Sequence, residues 1–450
     1  MTFEPGSRVH IVGVGGSGMS GVARLLHERG CLVSGSDAAN SPSLEALAAL
    51  GMAVHVGHDG SYGRDADVVL WSPAVPEDHV ELTAARVRGV TMIPRARLLA
   101  LLGRMQPVLG ITGTHGKTTA TSMLAHVATA AGRDPSWLLG AEVRGLGPNG
   151  HWGSGPLVLE VDESYGTLGE LEPAALGLLN VQADHLDYYQ TLGAVEDAFN
   201  HLVRRTRGPV VVWIDDPGAQ RATRTRADVI TVGSASGAWR VADEVVDRQG
   251  SRFSLVSEDQ IVPVRLRVTG HHTVADASVV AVLALTVGMA IDAVITGLEA
   301  FAGAPRRFEL RGTWRTSDVF DDYAHLPAEI EATLAAARAS GYRRIVAIFQ
   351  PHRVTRTSVL AATFAGAFDD ADEVIVTDLY SAGEPNPTGI TGEVVARAVL
   401  SDADSPPCHY AATFADVLTV LERLAPPDAV VILGAGDITQ LAAQLVGEAT

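Results

Sequence analysis

The segment that most constrains this 450-residue chain runs Pro107-Val108-Leu109-Gly110-Ile111-Thr112-Gly113-Thr114-His115-Gly116-Lys117-Thr118-Thr119. A short apolar run passes directly into a glycine-rich turn and then into residues that can open a helix. A strand, a tight loop and a helix in that order belong to a parallel sheet with helices packed on its faces. The backbone N–H groups of such a loop cradle phosphate oxygens. The lysine ammonium reaches the β and γ phosphates, and a threonine hydroxyl can ligate Mg²⁺. The segment departs from G-x-x-x-x-G-K-[ST] once: Ile111 stands at the first glycine position, with Gly110 one residue earlier. Composition sharpens the reading at one point. Of 34 Lys plus Arg, the single lysine is Lys117. Where arginine serves everywhere else, an amine kept in this loop points to a task that a planar guanidinium cannot perform.

A second glycine turn, Gly13-Val14-Gly15-Gly16-Ser17-Gly18, follows the apolar run Val9-His10-Ile11-Val12, and Asp37 lies 19 residues beyond its last glycine. This is the G-x-G-x-x-G spacing of a diphosphate-binding turn, with the helix amino terminus supplying unpaired N–H groups. Further buried-type strands are expected at residues 31–34, 67–71, 157–161, 176–180, 210–213, 344–349, 374–377 and 429–433. Helical stretches are expected at about 19–28 and 275–287, and shorter polar strands between about 219 and 268. Three α/β blocks follow. Residues 1–105 form a Rossmann-like domain, 106–304 a central P-loop domain and 305–450 a second Rossmann-like domain, with Gly303-Ala304-Pro305 as a linker.

The formal charge of −18 argues against nonspecific binding to nucleic acid or anionic membrane. No apolar run reaches the length of a membrane span, and Met1-Thr2-Phe3-Glu4-Pro5 lacks the layout of a signal peptide. Cys31 and Cys408 stand far apart without metal-ligand spacing, so a cytoplasmic, reducing setting is expected. Two phosphate-binding turns in one chain imply ATP-driven chemistry on a nucleotide-linked substrate. Glu160 and His185 each follow a buried-type strand, which sets them at the sheet edge beside the phosphate loop as candidate metal ligands.

The loop Gly113–Thr119, the segment Glu160-Val161-Asp162-Glu163-Ser164 and Ala183-Asp184-His185-Leu186-Asp187 resemble the central domain of the Mur ligases. Asp321-Asp322-Tyr323-Ala324-His325, the stretch Phe349–Thr357 and Gly434-Ala435-Gly436-Asp437-Ile438 resemble the branch that adds the first amino acid. The resemblance spans nearly the whole chain and implies a three-domain Mur ligase architecture and an ATP-dependent ligase of peptidoglycan synthesis. UDP-N-acetylmuramate and L-alanine are the substrates it implies, and ATP and Mg²⁺ the cofactors. By resemblance, Gly13, Gly15, Gly16, Gly18, Asp37, Ser72 and Ala74 hold the UDP moiety. Gly113, Thr114, His115, Gly116, Lys117, Thr118 and Thr119 hold the ATP phosphates, and Thr118, Glu160 and His185 hold Mg²⁺. Arg306 or Arg307 and Asp321 or Asp322 grip ATP. Tyr323, His325, His352, Arg353 and Arg356 form the amino-acid pocket, with the arginines on its carboxylate. Lys117, Glu160, His185, His325 and Arg353 are the expected catalytic set. A monomer and a homodimer are both compatible with the sequence.

Three segments depart from the family pattern. His-Asn-x-x-Asn is here His272-Thr273-Val274-Ala275-Asp276, a paired histidine is reduced to His325-Leu326, and the acidic segment continues Ser164-Tyr165-Gly166 where Asp usually follows Ser. Alternative readings are a ligase that adds another amino acid or a peptide in cell-wall recycling, and a UDP-sugar-binding paralogue of weak activity. A nicotinamide-dependent oxidoreductase explains the first glycine turn but leaves Lys117 without a role.

Overall fold

A computed structural model of the chain describes residues 3–72, 74–184, 186–401 and 405–448. By compactness these fall into two units. The first comprises residues 1–244, 253–266 and 275–302, and the second 245–252, 267–274 and 303–450. Among the described residues, no helix is long and apolar enough to cross a membrane.

The first unit holds two sheets. The amino-terminal one has five strands in the order Ala53–Val56, Leu32–Asp37, Arg8–Val12, Val68–Trp71 and Thr91–Pro94, all parallel. Strand order reverses between Arg8–Val12 and Val68–Trp71. The crevice beyond the carboxyl ends at such a reversal is where nucleotides bind in open parallel sheets. The glycine turn after Val12 and the Ser72 turn after Trp71 both open there.

The second sheet has ten strands, and Val108–Thr112 lies inside it between Ala175–Leu178 and Leu157–Val161. All five residues of Val108–Thr112 are buried inside the sheet, which is why the strand reads as an apolar run. The helix Lys117–Ala130 follows at once, with eleven of its fourteen residues buried. The polar stretch after residue 219 opens on the helix Pro217–Thr223, and the sheet then continues through Ile230–Gly233, Trp239–Asp247, Gly250–Val256 and Ile261–Leu266. The helix expected from about residue 275 begins at His271, because Gly270 (φ +113°) turns the chain just before it.

The second unit is built on a six-stranded sheet in the order Glu309–Trp314, Ser317–Asp322, Ala429–Leu433, Ile345–Phe349, Glu373–Val376 and Cys408–Tyr410. Its two faces pack separate cores, one around Phe349, Phe364 and Phe368, the other around Val417, Leu421 and Leu441. Alternating strands and helices predict parallel pairing. The hairpin Glu309–Trp314 with Ser317–Asp322 is antiparallel, since the two-residue connection at Arg315-Thr316 is too short for a crossover.

Candidate active site

Lys117 organises the central site. Its Nζ donates to Gly113 O at 2.7 Å and Thr114 O at 3.0 Å, and it pairs with Glu163 Oε2 at 2.8 Å. Burial opposes the charge, but Glu163, Asp162 and Glu160 more than offset it, so the ammonium is held protonated well above the ordinary lysine range. Glu163, 1 % exposed, has its own pKa raised by burial, against which Lys117 acts. Glu163 does not stand among the residues singled out from the sequence. The signal was present in the Asp162-Glu163 pair, but nothing local showed which carboxylate turns toward the lysine.

The phosphate loop is fixed from the neighbouring strand end. His115 N donates to Asn180 Oδ1 at 2.8 Å, Thr114 N to Asn180 O at 3.0 Å, and Gln182 N to Thr114 Oγ1 at 2.8 Å. His115 Nε2 meets Gln182 Oε1 at 3.1 Å. Gly116 has φ +80°, and a Cβ there would come within 2.6 Å of the Asp276 carboxylate, so only glycine fits. Thr118 and Thr119 are both 8 % exposed at the helix start.

Thr118 and Glu160 converge beside Gly140. A Cβ on that glycine would lie 2.8 Å from Thr118 Oγ1 and 2.9 Å from Glu160 Oε2, and Gly140 N already donates to Glu160 Oε2 at 3.0 Å. A hydroxyl and a carboxylate facing one small space next to a phosphate loop are hard oxygen donors, which suit Mg²⁺. The third expected ligand, His185, lies outside the described residues.

In the amino-terminal crevice, Gly15 N donates to Asp37 Oδ2 at 2.8 Å, so the acid that ends the second strand holds the glycine turn itself. Gly13 (φ +78°) packs against Ser72, and a Cβ on it would stand 3.1 Å from Ser72 Cβ. Ala74 N donates to Ser72 Oγ at 3.3 Å. Gly16 caps the helix Ser17–Glu28 without a side chain, leaving that helix start open. Sequence reasoning missed Arg95: its guanidinium sits against Gly18, 3.1 Å from a Cβ there, and its buried Nε has no hydrogen-bond partner.

In the second unit, Asp321, Asp322, Tyr323 and His325 stand at the carboxyl end of Ser317–Asp322, His352, Arg353 and Arg356 follow Ile345–Phe349, and Arg306 and Arg307 precede Glu309–Trp314. Arg306 and Arg307 lie over the Tyr323 ring at 4.9 and 5.3 Å. Asp321, fully buried, is held by Arg311 at 3.3 Å, Arg306 at 3.6 Å and the Thr439 hydroxyl at 2.5 Å. Asp322 turns inward and accepts from Phe308 N at 2.6 Å and Ala324 N at 2.7 Å. Burial raises its pKa to about 6 despite Arg307. His325 Nδ1 meets Tyr323 O at 3.0 Å, and its ring lies 5.9 Å from that of His352. His352 stacks on Tyr380 and bonds Arg356 Nη1 at 3.2 Å. Burial, then His325, Arg356 and Arg353, push its pKa down to about 3. Arg353 holds an uncommon backbone (φ +69°, ψ 140°) at the start of the helix Val354–Leu360, and its side chain is 40 % exposed with Glu384 at 3.9 Å. Strained backbone of that kind costs about 1–3 kcal/mol and gathers at functional sites.

Known proteins resemble the chain throughout. Residues 8–106 match the model of the Mur ligase family catalytic domain, 111–284 the Mur ligase middle domain, and 306–436 the Mur ligase glutamate ligase domain. A UDP-N-acetylmuramate–L-alanine ligase of Mycobacterium marinum is 41 % identical over 98 % of this chain and 94 % of its own length. One of Solidesulfovibrio magneticus is 39 % identical over 97 % of each. The crystal structure of the UDP-N-acetylmuramate–alanine ligase of Thermotoga maritima superposes with a TM-score of 0.82 at 30 % identity, covering 98 % of both chains. A murein peptide ligase of Psychrobacter arcticus gives 0.71 at 25 %, covering 99 % of this chain and all of that one. The phosphate loop, its acidic partners and the strand-end clusters thus occur within a three-domain likeness that runs from end to end, and the chain belongs to the Mur ligase family.

Proposed function

We propose that this protein joins L-alanine to the carboxylate of UDP-N-acetylmuramate, driven by ATP, in peptidoglycan synthesis. The observation that carries the reading is the likeness of about 40 % identity over nearly the full length to L-alanine ligases. The geometry of the phosphate loop supports it. The amino-terminal crevice binds the UDP moiety through the Gly13–Gly18 turn, Ser72 and Arg95, with Asp37 positioning the turn. The central domain binds ATP through residues 113–119. The carboxy-terminal domain supplies the amino-acid pocket from Tyr323, His325, His352, Arg353 and Arg356.

The muramyl carboxylate takes the γ-phosphoryl group of ATP and ADP leaves. The amine of L-alanine then attacks the acyl phosphate, loses a proton, and phosphate departs as the amide forms. Both steps shift negative charge among oxygens, so fixed positive charge is the main demand and no protein nucleophile is required. Lys117 supplies that charge at the loop. Thr118, Glu160 and His185 would hold Mg²⁺, which adds charge compensation on the phosphate oxygens. Arg353 and Arg356 orient the amino-acid carboxylate by charge-assisted hydrogen bonds. Nucleotide-linked substrates and ATP suit a cytoplasmic enzyme.

Phosphate release measured with UDP-N-acetylmuramate and each of L-alanine, glycine, L-serine, D-glutamate and a murein tripeptide tests the reading. Release that needs both substrates and is fastest with L-alanine is expected. Faster turnover with the tripeptide would replace it with a recycling ligase.

A further inference from the structure

Next to the amino-terminal glycine turn, whose Gly13 and Val14 N–H groups donate to Ser36 O, the amino-terminal sheet buries a carboxylate among imidazoles. Glu81, in the first turn of the helix Val80–Val87, is 1 % exposed. Its Oε2 meets His10 Nε2 at 2.7 Å, its Oε1 meets His58 Nδ1 at 2.7 Å, and the Ser36 hydroxyl donates to the carboxylate at 2.8 Å. His79 caps the same helix, its Nδ1 accepting from Glu81 N at 3.3 Å, and presents its ring edge-on to His58 with centroids 4.3 Å apart. One ligand atom from each of His58, His79 and Glu81 lies within 4.8 Å of the other two.

We propose that His58, His79 and Glu81 bind one divalent transition-metal ion of the zinc class, through two imidazole nitrogens and one carboxylate oxygen. An ion about 2.0–2.2 Å from each donor in tetrahedral geometry sets the donors about 3.3 Å apart, a spacing these side chains reach by small rotations. Two imidazoles and one carboxylate select Zn²⁺ or Co²⁺ over Mg²⁺, which prefers oxygen donors and keeps its water. The site is thus chemically distinct from the Thr118–Glu160 pair.

The surroundings are those of a metal site with an outer shell. His10 and Ser36 fix the Glu81 carboxylate from behind, and His10 Nδ1 is itself held by Ser34 Oγ at 2.9 Å. Gly63 (φ +63°) packs so closely on His10 that a Cβ would come within 2.6 Å of its ring, which fixes the ring's orientation. While Glu81 is buried, His58 and His79 are partly exposed, so an ion can enter from solvent and keep a water as fourth ligand. His58 follows the strand Ala53–Val56, while His79 and Glu81 open the helix Val80–Val87, so the ion would tie together two segments of the domain.

The test uses full-length protein stripped of metal, with excess Mg²⁺ and ADP present to occupy the ATP site. Co²⁺ is titrated and followed by its visible d–d absorption, and Zn²⁺ by calorimetry. One Co²⁺ per chain with the intense bands of a tetrahedral site, displaced by Zn²⁺, is expected. His79→Asn keeps a side chain able to cap the helix, and His58→Gln spares the buried carboxylate. Each should weaken Co²⁺ binding at least about tenfold, with circular dichroism and ADP binding matching the parent. No tetrahedral bands in the parent, or a site equally tight in both variants, overturns the proposal.

Discussion

The phosphate loop and the carboxy-terminal strand ends handle charge in opposite ways. At the loop, the cation is locked: Lys117 is mostly buried, spoken for by two carbonyls and Glu163, and the loop around it is pinned by Asn180 and Gln182. At the strand ends, Arg353 is 40 % exposed with its acidic neighbour 3.9 Å away, and His352 is kept neutral among arginines. A preorganised cation suits a group every turnover needs in one place, the transferred phosphoryl. A loosely held Arg353 suits an acceptor that must enter and be selected. Substitutions in the first region should therefore strike turnover, and those in the second should strike recognition of the amino acid.

The largest effect is expected from Lys117→Arg. A guanidinium is too broad for the space bounded by Gly113 O, Thr114 O and Glu163, so ligation should fall by about 10²–10³-fold or more while calorimetric binding of the UDP substrate is nearly unchanged. Turnover within threefold of the parent would remove the distinction drawn between the two regions. Glu160→Ala and His185→Ala come next. Each should raise the Mg²⁺ concentration for half-maximal ATP turnover by about tenfold or more, since a hard cation loses an anionic or neutral donor. A magnesium titration reads this directly, and unchanged half-saturation in both would leave these residues a packing role only.

The second region is sharpened by Arg353→Ala and Arg356→Ala. Loss of one charge-assisted contact to a carboxylate costs about 1.5–3 kcal/mol, or roughly tenfold to a hundredfold in KM for the amino acid. The KM for ATP should move much less. Glycine and L-serine should remain poor but detectable substrates, because one methylene discriminates by only about 1–3 kcal/mol. If steady-state kinetics show the ATP KM rising instead, the arginines belong to the phosphates and the comparison fails.

Legibility from the sequence followed the range of the interaction. The strand Val108–Thr112, the loop and the helix at Lys117 are contiguous, so local pattern sufficed to place them. Glu160 could be set beside the loop because strand ends in a parallel sheet share one edge. Glu163 and Arg95 escaped notice because what singles them out is a partner 46 or 77 positions away in the chain, at Lys117 or Gly18. The inward turn of Asp322, which satisfies Phe308 N and Ala324 N, is equally invisible in Asp321-Asp322. The run after residue 219 was too polar and irregular to reveal that it extends the central sheet by several strands.

The smallest expected effect is on stability in acid, and it too separates the regions. His352 has its pKa lowered to about 3 in the folded protein, against about 6.5 in the unfolded chain. Between those values the unfolded state holds a proton that the folded state refuses, so stability falls as pH drops through this window. His272, lowered to about 4 by burial and then by His271 and Arg307, acts in the same direction. Asp322, raised to about 6, acts in the opposite one: from pH 6 down to about 3.8 the folded state holds the extra proton. Among these three groups, two protons against one contribute a net loss of stability from pH 6.5 toward 4, at most about 1.4 kcal/mol per pH unit for the one uncompensated proton. Solvent at the partly exposed His352 reduces that slope. His352→Gln removes one of the two opposing histidines, so urea midpoints measured from pH 7 to 4.5 should fall less steeply in the variant than in the parent. Lys117 carries its proton throughout this range and Lys117→Arg should leave the slope unchanged. An identical slope in parent and His352→Gln would mean that the imidazole is no more shielded in the fold than in the open chain.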